Sequence, residues 1–553
     1  MGVVTVSILQ NGKLIKPEFE LLSIDVLREC NRIPVAELVY ADGKPEKKEF
    51  PLSDSNFFQA GKEIEIKLRY EGVTEKEKTV FKGVVLGQAL RMSSEACLLQ
   101  VELSDTAVRM TAARKSTIFE EMKDADVIGK LITTAGLKKG VVDPTKVTHK
   151  RLVQYHASDW DFLLCRAEAN GLLVASADGT ISVKAPDLSA GSKKTFKFGI
   201  DEIYHFDIES DTRHQRSAIK SAAYDIKTQK LSDPVSAKAF KLDQSGLNNS
   251  MVNKPMGNAE EMLIGGAALN AGEAQAWADA TMVKTRLSIL KGSMRIPGTA
   301  DLLVGDVIEL EGMSKLFSGK TIITGIRHQV NTTEGWATEI QFGISAERFS
   351  NLYPVNETPA AGLLPGVNGL QIGIVEKFEE DPDKEFRVKV RIPSIESKTN
   401  AVWARLGSMD AGKEHGAFFF PETGDEVILG FFNDDPRQPV ILGSLYSSVN
   451  APTIKPADKN PLKGFNSKKG LKITFDDEKK IMTLLTPGKQ SIVIDDDQKT
   501  ITLTDANKNK ILLSKDGVTI DSGKDFILNA SKGDVKITAG KKVEISAKQV
   551  EVI

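Results

Sequence analysis

The chain has 553 residues, of which 27% are charged, with 73 Lys and Arg against 75 Asp and Glu. This length predicts several domains, and the near-neutral balance excludes a broad electrostatic attraction for nucleic acid or an anionic membrane. The three cysteines, Cys30, Cys97 and Cys165, are too few and too far apart for a disulfide framework or a paired metal site. We expect them to be small buried side chains.

The N-terminal residues, Met1 to Asn11, alternate like a strand and contain neither a basic leader nor an apolar signal segment. No run approaches the roughly 20 apolar residues that span a bilayer. We therefore expect synthesis and folding in the cytoplasm, and export by a route that reads no signal peptide.

Residues 1–110 contain short alternating runs, such as Glu63 to Leu68 and Lys82 to Gly87, separated by glycine and charged turns. Such runs predict a small, mostly antiparallel β domain. The period then changes to a helical one in an α/β insert over residues 111–194. Apolar side chains at helical spacing there are Val127, Ile128, Leu131 and Ile132.

A second helix is predicted in this insert, from Ser158 to Asn170. Ser158 is a favourable N-cap, and Asp161 can return its carboxylate to the cap. Gly171 follows as a stop signal. Trp160 and Phe162 could form a partner-binding patch, but their helical spacing with Leu163 and Leu164 favours a place in the core.

Residues 195–355 return to the β pattern and predict a second barrel-like domain. An alanine-rich helix, Ala271 to Leu287, interrupts it before strand-like runs at Gly305 to Leu310 and Gly319 to Thr324. Residues 356–370, rich in Pro, Gly and Ala, are predicted to be a linker.

A third compact β unit is predicted over residues 371–447. In its first half apolar residues alternate with basic ones, which predicts one buried and one solvated face. The apolar members are Phe386, Val388, Val390 and Ile392. Two apolar strands follow, Val427 to Phe432 and Val440 to Leu445, and a short connection rich in Asp and Pro joins them.

After a polar linker at 448–463, residues 464–553 have few aromatic residues and carry a repeated pair of aliphatic side chains. The spacing averages roughly eight residues, the length of a short strand and a tight turn. The pairs are Ile492 and Ile494, Ile501 and Leu503, Ile511 and Leu513, Val518 and Ile520, Phe526 and Leu528, Val535 and Ile537, Val543 and Ile545, and Val550 and Val552.

Each repeat offers only two inward apolar side chains, so one chain alone would leave most of that surface in water. Either a wide single-chain β-helix or a slim prism of three intertwined chains could bury them. The short repeat favours the prism, with backbone groups paired between chains. About ten repeats at about 4.8 Å each would give a rod about 50 Å long.

Two motifs in the chain carry a resemblance to a known family. The run from Pro421 to Val427, followed by the run from Asp435 to Tyr446, resembles the OB-fold spike base of VgrG-like proteins. The run from Gln154 to Gly171 resembles a helix in the hub of the same family. The chain as a whole therefore resembles the VgrG-like spikes of type VI secretion and of phage-tail-like extracellular injection systems.

The resemblance implies a mainly β fold. It would comprise tandem hub barrels with a small α/β insert, an OB-fold domain and a C-terminal trimeric intertwined β-helix needle. Three chains with two barrels each would form a ring of six units, which matches a hexameric inner tube to a three-fold spike. The implied function is the trimeric central spike of a contractile injection machine, which nucleates the inner tube, carries a tip protein or effectors and punctures the target envelope.

The family resemblance also implies site residues and partners. The OB-fold motif residues would have a structural role: Pro421, Gly424, Asp425, Asp435, Pro436, Pro439, Gly443 and Tyr446. The trimeric needle core would contain Ile501, Leu503, Ile511, Leu513, Val518, Ile520, Val535, Ile537, Val543 and Ile545. A PAAR-like tip protein would dock at Val550, Val552 and Ile553. Baseplate proteins and effectors are further implied partners, and firing would carry the spike outside the cell or into the target envelope.

No catalytic, metal or cofactor site is predicted. His156, His205, His214 and His328 lack metal-ligand spacing and are expected to be structural or exposed. Asp495 to Asp497 are expected to form a solvated turn, and Gly424 with Asp425 a turn before a strand. We expect no enzymatic activity, because no catalytic domain separates the OB-fold from the needle or follows it.

Two other functions compete with the spike hypothesis. A β-solenoid enzyme that degrades polysaccharide or cell wall would also use a repetitive β fold, but these repeats are too short for a substrate groove. A trimeric receptor-binding fibre should end in an aromatic-rich recognition domain, whereas this sequence ends with the rod. The sequence does not distinguish type VI secretion from an extracellular injection system or a phage.

Overall fold

The structure is a computed structural model that describes residues 2–72, 76–93, 96–242, 247, 249–356, 358–394 and 401–552. The chain divides into two compact units, residues 1–358 and 359–553. Strands predominate in both, as the sequence predicts. In the described residues, no helix combines the length and apolar character needed to cross a membrane.

The first part of unit one is a set of antiparallel strands around an aliphatic core. Alternation places Ile64, Ile66 and Leu68 of one strand inside, because successive side chains point to opposite faces. The strands are β1 Val4–Gln10, β2 Lys13–Leu14, β3 Leu21–Glu29, β4 Val35–Ala41, β5 Glu63–Tyr70, β6 Lys78–Met92 and β7 Cys97–Ser104, with 3₁₀ turns at Pro45–Lys47 and Thr106–Thr111.

The insert has its own core, in which two helices pack together. Its elements are β8 Arg114–Lys123, α1 Asp124–Thr134, β9 Lys138–Val142, β10 Thr148–Ser158, α2 Asp159–Ala169, β11 Leu173–Ala177 and β12 Thr180–Lys184. Strand β13 Lys194–Lys197 follows the insert, and its Phe196 lies in the core of the second β part. The predicted cap is confirmed, since Ser158 Oγ accepts from the Asp161 N–H at 3.0 Å and donates to its carboxylate at 2.6 Å. Trp160 and Phe162 are buried core residues, as predicted.

The second part of unit one contains the long helix α4, which lies at the predicted residues and begins with a capping box at Asn270 and Glu273. Its elements are β14 His205–Ser210, β15 Ala218–Asp225, β16 Lys230–Leu231, β17 Val235–Ser236, α3 Asn249–Asn253, a 3₁₀ turn Lys254–Met256, β18 Glu260–Gly265, α4 Ala271–Leu287, β19 Leu290–Pro297, β20 Val307–Glu311, β21 Gly319–Asn331, β22 Gly335–Phe342 and α5 Phe349–Leu352.

The two β parts of unit one share one sheet, a connection that the sequence did not predict. Strand β3 pairs antiparallel with β21, so that Val26 lies opposite His328. Across the described residues, the sheet path runs from β14 through β21 and β3 to β2. Two hydrophobic cores, one around Leu38 and one around Ile340, lie in the two parts.

Unit two begins with the predicted OB-fold barrel. Among its described residues a closed barrel forms from β23 Gln371–Lys377, β24 Val388–Arg391, β25 Val402–Leu406, β28 Glu426–Phe431 and β29 Pro439–Ser444. A short hairpin, β26 Ala411–Gly412 and β27 His415–Gly416, and 3₁₀ turns at Pro359–Gly362 and Phe432–Asp434 complete it.

One expectation for this barrel is wrong. Val388, Val390 and Ile392 are buried as predicted, but Phe386 is 87% exposed. Phe386 precedes the strand and has a φ of +56°, so the alternation of the strand does not extend to it.

The predicted needle begins as a regular antiparallel sheet within one chain. Its strands are β30 Leu462–Asn466, β31 Lys472–Asp476, β32 Ile481–Leu485, β33 Ser491–Asp495, β34 Thr500–Thr504, β35 Lys510–Ser514 and β36 Gly517–Asp521. Each strand pairs with the next. The expectation that backbone groups pair between chains is therefore wrong for residues 462–521, because tight turns return each strand beside the previous one.

Candidate assembly interface

One face of the needle sheet carries two unbroken rows of apolar side chains. Cross-strand register places Ile492 opposite Leu503 and Ile494 opposite Ile501. The first row is Ile473, Leu484, Ile492, Leu503, Ile511 and Ile520, and the second is Phe475, Met482, Ile494, Ile501, Leu513 and Val518. We call these twelve residues the apolar face.

The apolar face remains open to solvent in the single chain. Apart from Phe475, its members are between 36% and 68% exposed. The opposite face is mostly threonine along its centre: Thr474, Thr483, Val493, Thr502, Leu512 and Thr519. An exposed apolar area of this extent marks an interaction surface, since monomeric proteins rarely leave one uncovered.

The last part of the needle carries further exposed aliphatic side chains. Val535, Ile537, Val543 and Ile545 are between 51% and 71% exposed. Val550 and Val552, predicted to dock a tip protein, are 58% and 92% exposed, and Ile553 lies outside the described residues. The inward place of these side chains in a trimer stays a prediction.

The OB-fold motif lies partly in the turns that connect the barrel strands and partly in β29. Gly424 adopts a φ of +91°, and its N–H donates to the Val375 carbonyl at 2.9 Å. Asp425 accepts from the Glu422 N–H at 2.8 Å, which fixes the turn before β28. Pro421 and Pro439 are buried, whereas Tyr446 is exposed.

An ion pair between Asp435 and Arg437 stabilises the second half of this motif. Arg437 approaches the Asp435 carboxylate with two guanidinium nitrogens, at 3.0 and 2.6 Å, and its N–H donates at 2.9 Å. These bonds lower the pKa of Asp435. Pro436 lies inside this connection, and Gly443 lies in β29. These contacts fix the conformation of the connections between strands, and the structural role of the motif stays a prediction.

The acidic run Asp495 to Asp497 lies at the turn between β33 and β34, as predicted. Asp495 accepts from the Gln498 N–H at 2.8 Å, and Asp497 pairs with Lys480 at 2.9 Å. In the described part of the chain, no group of three or more His, Cys, Asp or Glu side chains is arranged to hold a metal ion.

Of the four histidines singled out, His156, His205 and His214 are exposed and His328 is buried. Burial, with the positive charge of Arg28, lowers the pKa of His328 to about 3. Cys97 is buried and Cys30 and Cys165 partly so, and all three are free thiols. Burial, with Glu29, raises the pKa of Cys30 to about 12, so this thiol stays protonated.

The sequence patterns do not predict a polar cluster that is buried in the insert. The ring nitrogens of His149 lie 2.9 Å from the Asp124 carboxylate and 3.1 Å from that of Glu273. Arg166 and Asn170 donate to Asp124 at 2.6 and 2.9 Å. Burial by itself would raise the pKa of Asp124, but these bonds lower it below its ordinary value. The cluster ties α1, α2, α4 and β10 together, and no local pattern joins residues from four elements.

Asp124→Ala should destabilise the insert by about 3 kcal/mol, because it leaves Arg166 and His149 without their shared carboxylate. Asp126→Ala is the matched control, since Asp126 lies in the same helical turn but is exposed. Hydrogen exchange of the α1 and α2 amides measures the difference. Equal protection in the two variants would contradict a stabilising role for the cluster.

Three family profiles match the chain. The Alg8 N-terminal domain profile matches residues 1–332. The type VI secretion system/phage-baseplate injector OB domain profile matches residues 371–446, and the phage baseplate V C-terminal trimerisation domain profile matches residues 481–552.

Relatives and solved structures with similar regions carry spike and tail names. The chain is 33% identical over 142 residues to the type VI secretion system spike protein VgrG3 of Vibrio cholerae. The aligned region covers 23% of this chain and 14% of that protein. The chain is 30% identical over 131 residues to the actin cross-linking toxin VgrG1 of Vibrio cholerae, covering 21% and 12%. A tail protein from Neisseria meningitidis is 16% identical with a TM-score of 0.46, covering 63% of this chain and 98% of the other.

An OB barrel followed by a trimerisation segment defines a phage-baseplate and type VI injector class of protein, and the resemblance to VgrG-like spikes is confirmed. The match over residues 1–332 extends across more than half of the chain. The chain therefore belongs to the family of the Alg8 N-terminal domain. It spans less than a fifth of the length of the two Vibrio cholerae relatives.

Proposed function

We propose that this chain is the hub and needle of the trimeric central spike in a contractile injection machine. The apolar face of the needle is the observation that carries the proposal. Its two rows, up to 68% exposed in one chain, would be covered if three copies placed them around a common axis. The match of residues 481–552 to a trimerisation domain supports the same arrangement.

Two features suit the needle to mechanical load. Neighbouring strands of residues 462–521 are hydrogen-bonded along the whole sheet, so at each step a load along the rod is carried by the set of backbone hydrogen bonds between two strands. Lysines stand at the turns, among them Lys480, Lys489, Lys499 and Lys508, and they keep the outer ends of the strands solvated.

The hub is proposed to connect this three-fold needle to a six-fold inner tube. Each chain contributes two β parts, which share a sheet through β3 and β21. Three chains would then present six β parts to a hexameric tube protein. The domain limits predicted from the sequence, 1–110, 111–194 and 195–355 for the hub, belong to this proposal.

The remaining partners and the absence of catalysis are also proposals. A PAAR-like tip protein would dock on Val550 and Val552 at the needle end, and effectors and baseplate proteins would bind the hub. Relatives that match this chain are spike proteins, and the matched region covers only 12% of the one called an actin cross-linking toxin. We propose a non-enzymatic role, with assembly in the cytoplasm and delivery into the target envelope.

Sedimentation of the full-length protein tests this proposal. A trimer is expected, with three times the chain mass of 60.3 kDa. A stable monomer with a folded needle sheet would refute the spike function, because the apolar face would then be stable without a second chain to cover it.

A further inference from the structure

An aromatic group on the OB-fold barrel continues the apolar face beyond the trimerisation domain. Phe418, Phe419 and Phe420 follow the β26–β27 hairpin and are 85%, 64% and 47% exposed. They line the same groove as the needle residues Ile473 and Ile492, a groove with a volume of about 1320 Å³. We call these three phenylalanines the aromatic collar.

The collar is fixed to the needle within one chain. Phe419 stacks on Phe465 of β30, with ring centroids 5.3 Å apart and planes 13° from parallel. Phe420 meets Phe378 edge to face at 6.2 Å. Lys468 pairs with Glu422 at 3.0 Å beside them. Phe418 extends past these contacts, and among the described residues no ring stacks on it.

The charges along the groove favour a second copy of the chain as the occupant. Its charged lining residues balance, three acidic against three basic: Glu422, Asp505, Asp521, Lys468, Lys472 and Lys510. Identical surfaces with this balance can approach each other without net repulsion, whereas a nucleic acid would need excess positive charge. The groove is also continuous with residues 481–552, which match a trimerisation domain.

We propose that contact between the chains begins at the aromatic collar, on the OB-fold barrel, about sixty residues before the trimerisation domain. Phe418 of one copy packs on the groove of another, and Phe419 and Phe420 hold it in place. The collar therefore locks the barrels to one another and stops the base of the needle from splaying apart. This inference rests on the proposed trimeric spike and names a contact within it.

Phe418→Ser in the full-length protein tests the collar, because this side chain contributes little to the fold of its own chain. Phe386→Ser is the matched control, since Phe386 is 87% exposed on the same barrel but lies outside the groove. Trimer dissociation is measured by sedimentation across a series of urea concentrations. Each contact would bury a phenylalanine. Phe418→Ser should therefore raise the dissociation constant about tenfold or more for each contact that is lost, and Phe386→Ser should leave it unchanged.

If the wild-type protein is a trimer and Phe418→Ser does not change its dissociation, the collar proposal is overturned and the proposed function is left intact. Equal weakening by both variants would also overturn it, because the effect would not depend on the groove. Monomeric wild-type protein would overturn the proposed function and the collar together. Circular dichroism verifies that the variant chains are folded.

Discussion

Leu503→Asp should convert the full-length protein from a trimer to a monomer. Leu503 lies in the first row of the apolar face, between Ile492 and Ile511. In the proposed trimer it faces the common axis, so the substitution places three carboxylates in an apolar interior. Burial of an unpaired charge costs several kcal/mol per chain, and the cost is incurred three times in each trimer.

Thr502→Asp is the control for this experiment. Thr502 is next in the chain but lies on the opposite face of the same strand, where it pairs with Val493 and Leu512. Both substitutions place the same charge on the same strand, so the two variants differ only in the face of the sheet that carries the charge. Sedimentation should show a monomer for Leu503→Asp and a trimer for Thr502→Asp. A trimer for both variants would mean that the apolar face is not the interface between the chains.

Local patterns predicted much of this architecture. Helix α4 and the cap of α2 are encoded in a few neighbouring residues, and the alternation of Ile492, Ile494, Ile501 and Leu503 identifies one face of the needle strands. The OB-fold motif likewise lies within a short stretch, in two turns and the strand β29. These features depend on contacts between residues close in sequence, which a pattern of residue types can specify.

The missed features depend on contacts between distant segments. Strand β3 pairs with β21, about 300 residues later, and several strands share the same alternating pattern, so the pattern does not select a partner. The cluster around Asp124 draws Glu273 from another helix. In the needle the pattern predicts the pairs from Ile492 to Ile520, which share one face, but it misses two earlier pairs of that face, and the pairs beyond residue 521 stay a prediction. The same pairs fit strand pairing within one chain or between chains. Tight turns decided that choice for residues 462–521.

Acid should weaken the shared hub sheet through His328. This residue lies in β21 between β3 and β22, is 3% exposed and has Nδ1 3.1 Å from Thr338 Oγ1. Arg28 on β3 adds positive charge nearby, and Asp178 holds that guanidinium at 2.7 Å. A protonated His328 would therefore be buried between β3 and β22, and none of the ion pairs of the described residues gives it a carboxylate partner.

The direction of the pH effect follows from the pKa of His328, which is about 3 in the folded chain. An unfolded histidine has a pKa of about 6.5, so the unfolded state binds more protons between these values and stability falls as the pH falls. The loss attributable to His328 is about 1.4 kcal/mol per pH unit well between the two pKa values and amounts to about 4 kcal/mol at pH 3.

Hydrogen exchange of the β3 and β21 amides, corrected for intrinsic exchange, should show this slope between about pH 5 and about pH 7, a window in which most carboxylates stay ionised. His328→Asn should remove the slope, because asparagine does not titrate. His205→Asn, at an exposed position on β14, should leave it unchanged. A wild-type slope that persists in His328→Asn would assign the acid sensitivity to another group. If hydrogen exchange of the wild-type protein shows no pH dependence, protonation of His328 does not weaken the pairing of β3 with β21.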